Sequence, residues 1–331
     1  MPKVSVIIPN YNHAPFLRKR IDSVLQQTFQ NFEVILLDDC STDDSRSILS
    51  SYADDPRVRI EFNDANSGST FKQWNKGVRL ARGEYVWIAE SDDYADERLL
   101  ERLVAVLDVD PQVVFAYCRS WRVSADDLLD EFSDFYLARL NGYRWTTDYC
   151  ADGVEECRTY SVRENPVPNA SSVLFRKAVY DSVGGADETL RLCGDWKLWA
   201  SMALTGKVAY VAEPLNYFRF HNNSARSKGD PSGLKVAESL QVISWILRRV
   251  TSTETVLTKL YDEKCALWVP TVMSARVPVR LKWKILRAVM EIDPYPIRRA
   301  IRPALGVIWR KLSRHWSSVA RRYEGIPSIR K

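Results

Sequence analysis

Over its first 120 residues the chain alternates short apolar runs with stretches of helical period. Val4-Ser5-Val6-Ile7-Ile8 reads as a buried strand, after which Leu17, Ile21, Val24 and Leu25 recur at helical spacing. A second strand over 32–37 runs into Asp38-Asp39, and Ser41-Thr42-Asp43-Asp44 opens a helix with Ile48, Leu49 and Tyr52 on its apolar face. Residues 58–62 alternate as a strand, Asn66-Ser67-Gly68 is a turn, and 71–81 reads as a helix ended by Gly83. Tyr85-Val86-Trp87-Ile88-Ala89 is a fourth strand, 95–107 a helix and 113–117 a fifth strand. This order predicts a mostly parallel sheet with helices on both faces.

In such sheets ligands bind beyond the carboxyl ends of the strands. Three polar clusters belong at that edge: Asn10-Tyr11-Asn12, Asp38-Asp39 and Asp92-Asp93. They are far apart in sequence and are expected to converge in space. Residues 119–165 show weak periodicity and read as an irregular segment around an acceptor cleft. Order returns with Val173-Leu174-Phe175, the turn Gly184-Gly185, a helix near 196–204 and a strand over 208–211. Beyond about residue 226 the pattern is mainly helical, which divides the chain into 1–225 and 226–331.

Charge sharpens that division. From Arg276 onward fifteen Lys or Arg stand against three acids, whereas residues 1–275 hold thirty-two basic and thirty-nine acidic residues. An acidic body with a basic extension favours an anionic partner. None of the six cysteines forms a Cys-x-x-Cys pair, which argues against a structural zinc site. No apolar run reaches the ~18 residues of a membrane span, and the first residues lack the pattern of a signal peptide. The expectation is a cytoplasmic protein with reduced thiols.

The carboxylates after the fourth strand suit a hard cation, Mg²⁺ or Mn²⁺, shared with substrate phosphates; alternatively they cap the following helix. Asp39 can accept from a nucleobase N–H or serve as a cap, and Tyr11 can stack on a base or anchor its loop. Neither G-x-G-x-x-G nor G-x-x-x-x-G-K follows a strand, so a phosphate-cradling glycine loop is not indicated.

Taken in order, Pro2 to Asn12, Ser23-Val24-Leu25-Gln26-Gln27-Thr28-Phe29, Glu33 to Asp43, and Gly83 to Asp93 resemble the family 2 glycosyltransferases of GT-A fold. The resemblance covers roughly residues 2–225. It implies a Rossmann-like α/β domain, a nucleotide-diphosphate sugar donor and a saccharide or lipid-linked acceptor. It implies that Pro9, Tyr11 and Asp39 contact the nucleotide, that Asp92 lies near the ribose, and that Asp93 holds the divalent metal. Glu90 replaces the family's more frequent Asp, and Trp74 stands where Arg is common, leaving Lys72 or Lys76 as substitutes for a phosphate contact. Gly194-Asp195-Trp196 resembles the motif that opens a helix with the catalytic base, here Asp195, which would deprotonate the acceptor hydroxyl and give inversion. Trp196 and Trp199 read as core. Asp187 fits an acceptor loop, and His221 a second metal or diphosphate contact.

In the extension, Ile301, Leu305, Ile308, Leu312, Trp316 and Val319 recur at helical spacing among basic residues. Such a helix suits the inner face of a cell membrane; the alternative is a helix packed on the catalytic domain with a solvated basic face, and no nucleic-acid module accompanies the charge. The expected role is therefore sugar transfer in cell-surface polysaccharide synthesis. The alternatives are a GT-A scaffold without catalysis and a metal-dependent phosphate hydrolase.

Overall fold

The computed structural model describes residues 1–132, 140–141, 143–220, 232–297 and 299–300. The chain divides into two compact units, residues 1–230 with 241–253, and residues 231–240 with 254–331.

In the first unit, β1 (Val4–Asn10), α1 (Ala14–Leu25), β2 (Phe32–Asp38), α2 (Ser45–Ser50), β3 (Val58–Phe62), α3 (Thr70–Leu80) and β4 (Tyr85–Ile88) follow the alternation legible in the sequence. Every residue of β1, β2 and β4 is buried, as required of strands covered on both faces. Val4, Val6 and Ile8 pack into one apolar layer with Leu17, Ile21 and Val24 of α1. Ile7 points the other way, beneath α3, where a Cβ on Gly77 would lie 2.4 Å from Ile7 Cγ2. Glycine there lets α3 settle directly onto β1.

The next elements are β5 (Tyr94–Ala95), α4 (Leu99–Val109), β6 (Val113–Val123), β7 (Leu129–Phe132), β8 (Tyr149–Asp152) and α5 (Gly153–Glu156). They are followed by β9 (Val173–Arg176), α6 (Lys177–Ser182), α7 (Gly194–Ala203) and β10 (Lys207–Arg219). The sheet order is β3-β2-β1-β4-β9-β6-β10-β5, with β7 on β6 and β8 on β10. The half containing β1 to β4 is parallel. β9 then enters antiparallel between β4 and β6, so the complete sheet is mixed. The segment expected to be irregular thus supplies two short strands, β7 and β8, and the strand expected over 208–211 extends to Arg219.

Helix α8 (Leu234–Leu247) starts in the second unit and ends in the first. α9 (Glu254–Met273) and α10 (Val279–Ile292) belong to the second unit and pack on each other. The helix expected around 301–319 lies outside the described residues.

Candidate active site

The register aligns Asn10 with Asp38 and Ile7 with Ile88, so the exits of β1, β2 and β4 lie side by side. The predicted convergence of the three polar clusters follows from that alignment. The first two exits are stitched together. Asn10 Nδ2 donates to Asp38 Oδ2 at 3.1 Å, and Thr42 N donates to Asn12 Oδ1 at 2.8 Å. Asn12 takes a left-handed conformation, φ 57°, which Asn tolerates better than most residues.

Asp39 is nearly sealed. Its Oδ1 accepts from Asn63 Nδ2, Ser67 N and Gln73 Nε2 at 2.6, 2.8 and 2.8 Å. Its Oδ2 accepts from Ser67 Oγ at 2.7 Å and keeps lone-pair capacity for one further donor. Pro9 is buried within β1, whereas Tyr11 beside it is 46% exposed. Lys76 Nζ donates to Asn63 Oδ1 at 2.6 Å, and Lys72 Nζ to Ser67 O at 3.3 Å. Both lysines are therefore tied to the Asp39 cluster.

The acidic motif after β4 splits into three environments. Asp93 is 1% exposed. Its Oδ2 accepts from Ser171 Oγ at 2.7 Å and Asn169 Nδ2 at 2.9 Å, and its Oδ1 from Arg219 N at 2.9 Å. The sequence expectation made Asp93 the metal ligand; its oxygens accept from these three protein donors, and Oδ1, with one of them, keeps lone-pair capacity. Asp92 is only half-buried, and its backbone carbonyl accepts from Arg219 Nε at 2.7 Å. Glu90 is half-buried, with Oε1 accepting from Trp74 Nε1 at 2.7 Å. Burial, with a contribution from the Asp92 charge, pushes the Glu90 carboxyl up to about 8. Burial raises Asp93 too, aided by Asp92 and opposed by Arg20 and by the Ser171 and Arg219 hydrogen bonds.

Two buried arginines supply counter-charge. Arg20, fully buried on α1, donates from Nε to Glu90 O at 2.8 Å and holds Nη2 3.9 Å from Asp93 Oδ2. Neither of its terminal nitrogens has a hydrogen-bond partner. Arg219, 3% exposed, also bonds Ser124 O, Ala125 O and Asp127 Oδ1. The motif presents another side to α1, where Ser91 Oγ lies 2.8 Å from His13 Nδ1.

Asp195 occupies the second position of α7, where the helix dipole favours an anion. Asn165 Nδ2 donates to its Oδ2 at 3.1 Å. The same buried stretch, 165–172, carries Asn169 and Ser171 to Asp93, and the Ser171 hydroxyl also receives Glu90 N. One strap thereby links the acidic motif to Asp195. Trp196 and Trp199 are 3% and 2% exposed and form core, as their spacing predicts. Asp187 pairs with Lys197 at 2.5 Å. His221 lies outside the described residues. Among the described residues no group of three or more His, Cys, Asp or Glu is placed to hold a metal. Asp92 is the aspartate of the motif left half-exposed.

The strap, Arg20 and Arg219 were not singled out from the sequence. Arg20 had a signal, because it falls on the Leu17–Ile21–Val24 stripe, where an arginine must be either paired or misplaced. Asn165, Asn169 and Ser171 had none, since their loop has no period.

The family description "Glycosyl transferase family 2" matches residues 5–162. Over these residues, just under half of the chain, it is similar to the family 2 glycosyltransferases. Its relatives include glycosyltransferase GlyG of Streptococcus pneumoniae, 39% identical over 152 residues, covering 45% of this chain and 46% of that one. An uncharacterized glycosyltransferase of Nostoc is 28% identical over 226 residues, covering 66% of this chain and 65% of the relative. These matches span less than two thirds of either relative's length. Among solved structures, Staphylococcus aureus TarS 1–349 in complex with UDP-GlcNAc superposes with TM-score 0.68 at 18% identity, covering 99% of this chain and 93% of that one. A mannosyltransferase from Pyrobaculum calidifontis in complex with GDP-Man and Mn²⁺ gives TM-score 0.58 at 17% identity, over 96% and 83%. The fold is the GT-A fold shared with these structures. The matched residues 5–162 hold Tyr11, Asp39 and the whole acidic motif, while Asp195 lies beyond them.

Proposed function

We propose that the chain transfers a sugar from a nucleotide-diphosphate donor to a hydroxyl of a saccharide or lipid-linked acceptor, inverting the anomeric centre, in the synthesis of a cell-surface polysaccharide. The observation that carries this reading is the strap 165–172, which ties Asp195 to the acidic motif at the carboxyl edge of the sheet. Binding of UDP-GlcNAc by TarS and of GDP-Man by the Pyrobaculum enzyme supports a donor of this class. Residues 1–225 carry the reaction in this reading, and 226–331 are the basic extension that holds the enzyme at the inner face of a membrane. Among the described residues no helix is long and apolar enough to cross one.

Tyr11 offers its exposed ring to the base, and Asp39 its remaining lone pair to a base N–H. Asp92 faces the ribose and diphosphate. A Mg²⁺ or Mn²⁺ bound there with the donor would supply neutralisation of the diphosphate charge, held by Asp92, the more exposed aspartate of the motif, with Asp93 beside it. Asp195 takes the proton from the acceptor hydroxyl as that oxygen bonds to the anomeric carbon. The bond from that carbon to the phosphate oxygen breaks, and the nucleoside diphosphate leaves with the electron pair.

The test is binding and turnover across UDP-, GDP- and dTDP-sugars. Asp195→Asn should keep donor affinity and lose transfer by roughly 10²–10⁴-fold, the usual contribution of a positioned base. Normal transfer by that variant would remove Asp195 from the mechanism.

A further inference from the structure

Helix α10 turns an apolar stripe outward. Its inner side is conventional, with Ile285, Val289 and Ile292 buried. About a third of a turn round the helix from it, Val279, Trp283 and Met290 are 69%, 69% and 73% exposed, and half-buried Leu286 falls between them. Their spacing of four, three and four residues places all four on one line along the helix. An ordinary surface helix puts charge there and keeps its apolar residues inside.

The charges flank the stripe instead. At 100° per residue, Arg280, Lys284 and Arg287 form the adjacent row on one side, and Lys282 borders the other. Glu291 is the single acid of the helix, and it already pairs with Arg287 at 3.5 Å. A tryptophan midway along an exposed apolar stripe, edged by long basic side chains, has the amphipathic form of a helix lying in a bilayer interface. The apolar residues enter the acyl boundary, and Lys and Arg extend to the headgroups. Protein partners fit less well, because four closely spaced cations edging a stripe that is only one residue wide match a planar anionic surface better than a groove.

We propose that the outer face of α10, centred on Trp283, docks onto an anionic lipid surface. This rests on the reading of the chain as a transferase only for its purpose, which is to hold the enzyme where a lipid-linked acceptor resides. The surface itself is independent of the catalytic edge, since none of its residues belongs to the site described above.

The experiment is flotation of the full chain with phosphatidylcholine vesicles containing 0% or about 30% phosphatidylglycerol, at low and high salt. The expected result is recovery with the anionic vesicles only, weakened by salt. Trp283→Ser with Met290→Ser should reduce the bound fraction at least tenfold, and Lys284→Gln with Arg287→Gln should remove the preference for anionic lipid. Turnover with a soluble acceptor should stay unchanged in both variants, which separates failure of this proposal from failure of the transferase reading. Equal binding by wild type and Trp283→Ser/Met290→Ser would overturn the proposal. So would a concentration-dependent dimer abolished by those substitutions in a chain that binds no vesicles.

Discussion

The indole N–H of Trp74 donates to Oε1 of Glu90 at 2.7 Å, so the two positions that the family resemblance marked as departures meet each other. Trp replaces a common Arg on α3, and Glu replaces a common Asp after β4. A shorter Asp would not reach the indole, and an Arg at position 74 would forgo the ring that packs 6.2 Å from that of Trp199. The two residues form one coupled pair, a neutral donor and a long acceptor.

That coupling is measurable. Trp74→Phe removes the donor and Glu90→Met the acceptor, and each is expected to cost about 1–3 kcal/mol through the unsatisfied partner. The double variant should fall short of the sum by about 0.5–3 kcal/mol, as contacting residues do. Urea unfolding of the four proteins provides the cycle; strict additivity would show that the contact carries no stability.

Glu90 also predicts the direction of a pH effect. Its folded pKa, about 8, exceeds the ordinary Glu value of about 4.3, so between those pH values the folded state binds more protons than the unfolded one. Its contribution to stability is therefore fully present below pH 4 and is lost as pH rises through about 8. Glu90→Gln cannot ionise. Denaturation between pH 5 and 9 should show the wild type losing stability relative to Glu90→Gln as pH rises, and a parallel pair of curves would refute the raised pKa.

The parallel half of the sheet was legible because strands buried on both faces have an apolar signature that few other elements share. Asp39 and the acidic motif were legible for the same reason, as polar residues terminating such strands. Asp93 was placed at the right end of β4, but its protein donors were not foreseen. Its donors come from a loop more than seventy positions later and from β10, and pairings at that separation leave no trace in local pattern. β9 was seen as a strand, yet its antiparallel insertion was not, because its four residues carry no mark of direction.

Asp92 and Asp93 should therefore respond oppositely. Asp93→Ala leaves Asn169, Ser171 and the Arg219 N–H without an acceptor and Arg20 without its nearest carboxylate, for a loss of about 3–5 kcal/mol, typical when one partner of a buried charged set is removed. Asp92→Asn should cost far less stability and abolish Mn²⁺-dependent donor binding. Thermal unfolding combined with donor calorimetry separates the two. The reverse pattern would return the metal to Asp93.

Arg20 makes a related prediction. Its guanidinium is wholly buried with two nitrogens unpartnered, and burial pulls its pKa down to about 10, so it remains charged at neutral pH. Arg20→Met keeps the stem and deletes the charge. The acidic motif then loses one of its two buried cations, and donor binding at low divalent concentration should weaken at least tenfold, with recovery when Mn²⁺ is raised. A weakening that Mn²⁺ does not relieve would mean that Arg20 acts by packing alone.

Asn165 gives the most direct test of how Asp195 is held. Its Nδ2 donates to Asp195 at 3.1 Å, while its Oδ1 accepts from Val167 N at 3.1 Å and braces the strap. Asn165→Ala removes both bonds. Asn165→Asp retains the acceptor for Val167 but sets a second carboxylate against Asp195, where like charges oppose each other. If Asn165 positions the base, kcat should fall in both variants, and further in Asn165→Asp despite its better-braced loop, while donor Kd stays within twofold. If Asn165 only supports the strap, the order reverses: Asn165→Ala loses more activity, and its loss follows the drop in Tm. The ranking of the two variants, read beside Tm and donor Kd, decides between orientation of Asp195 and simple loop stability.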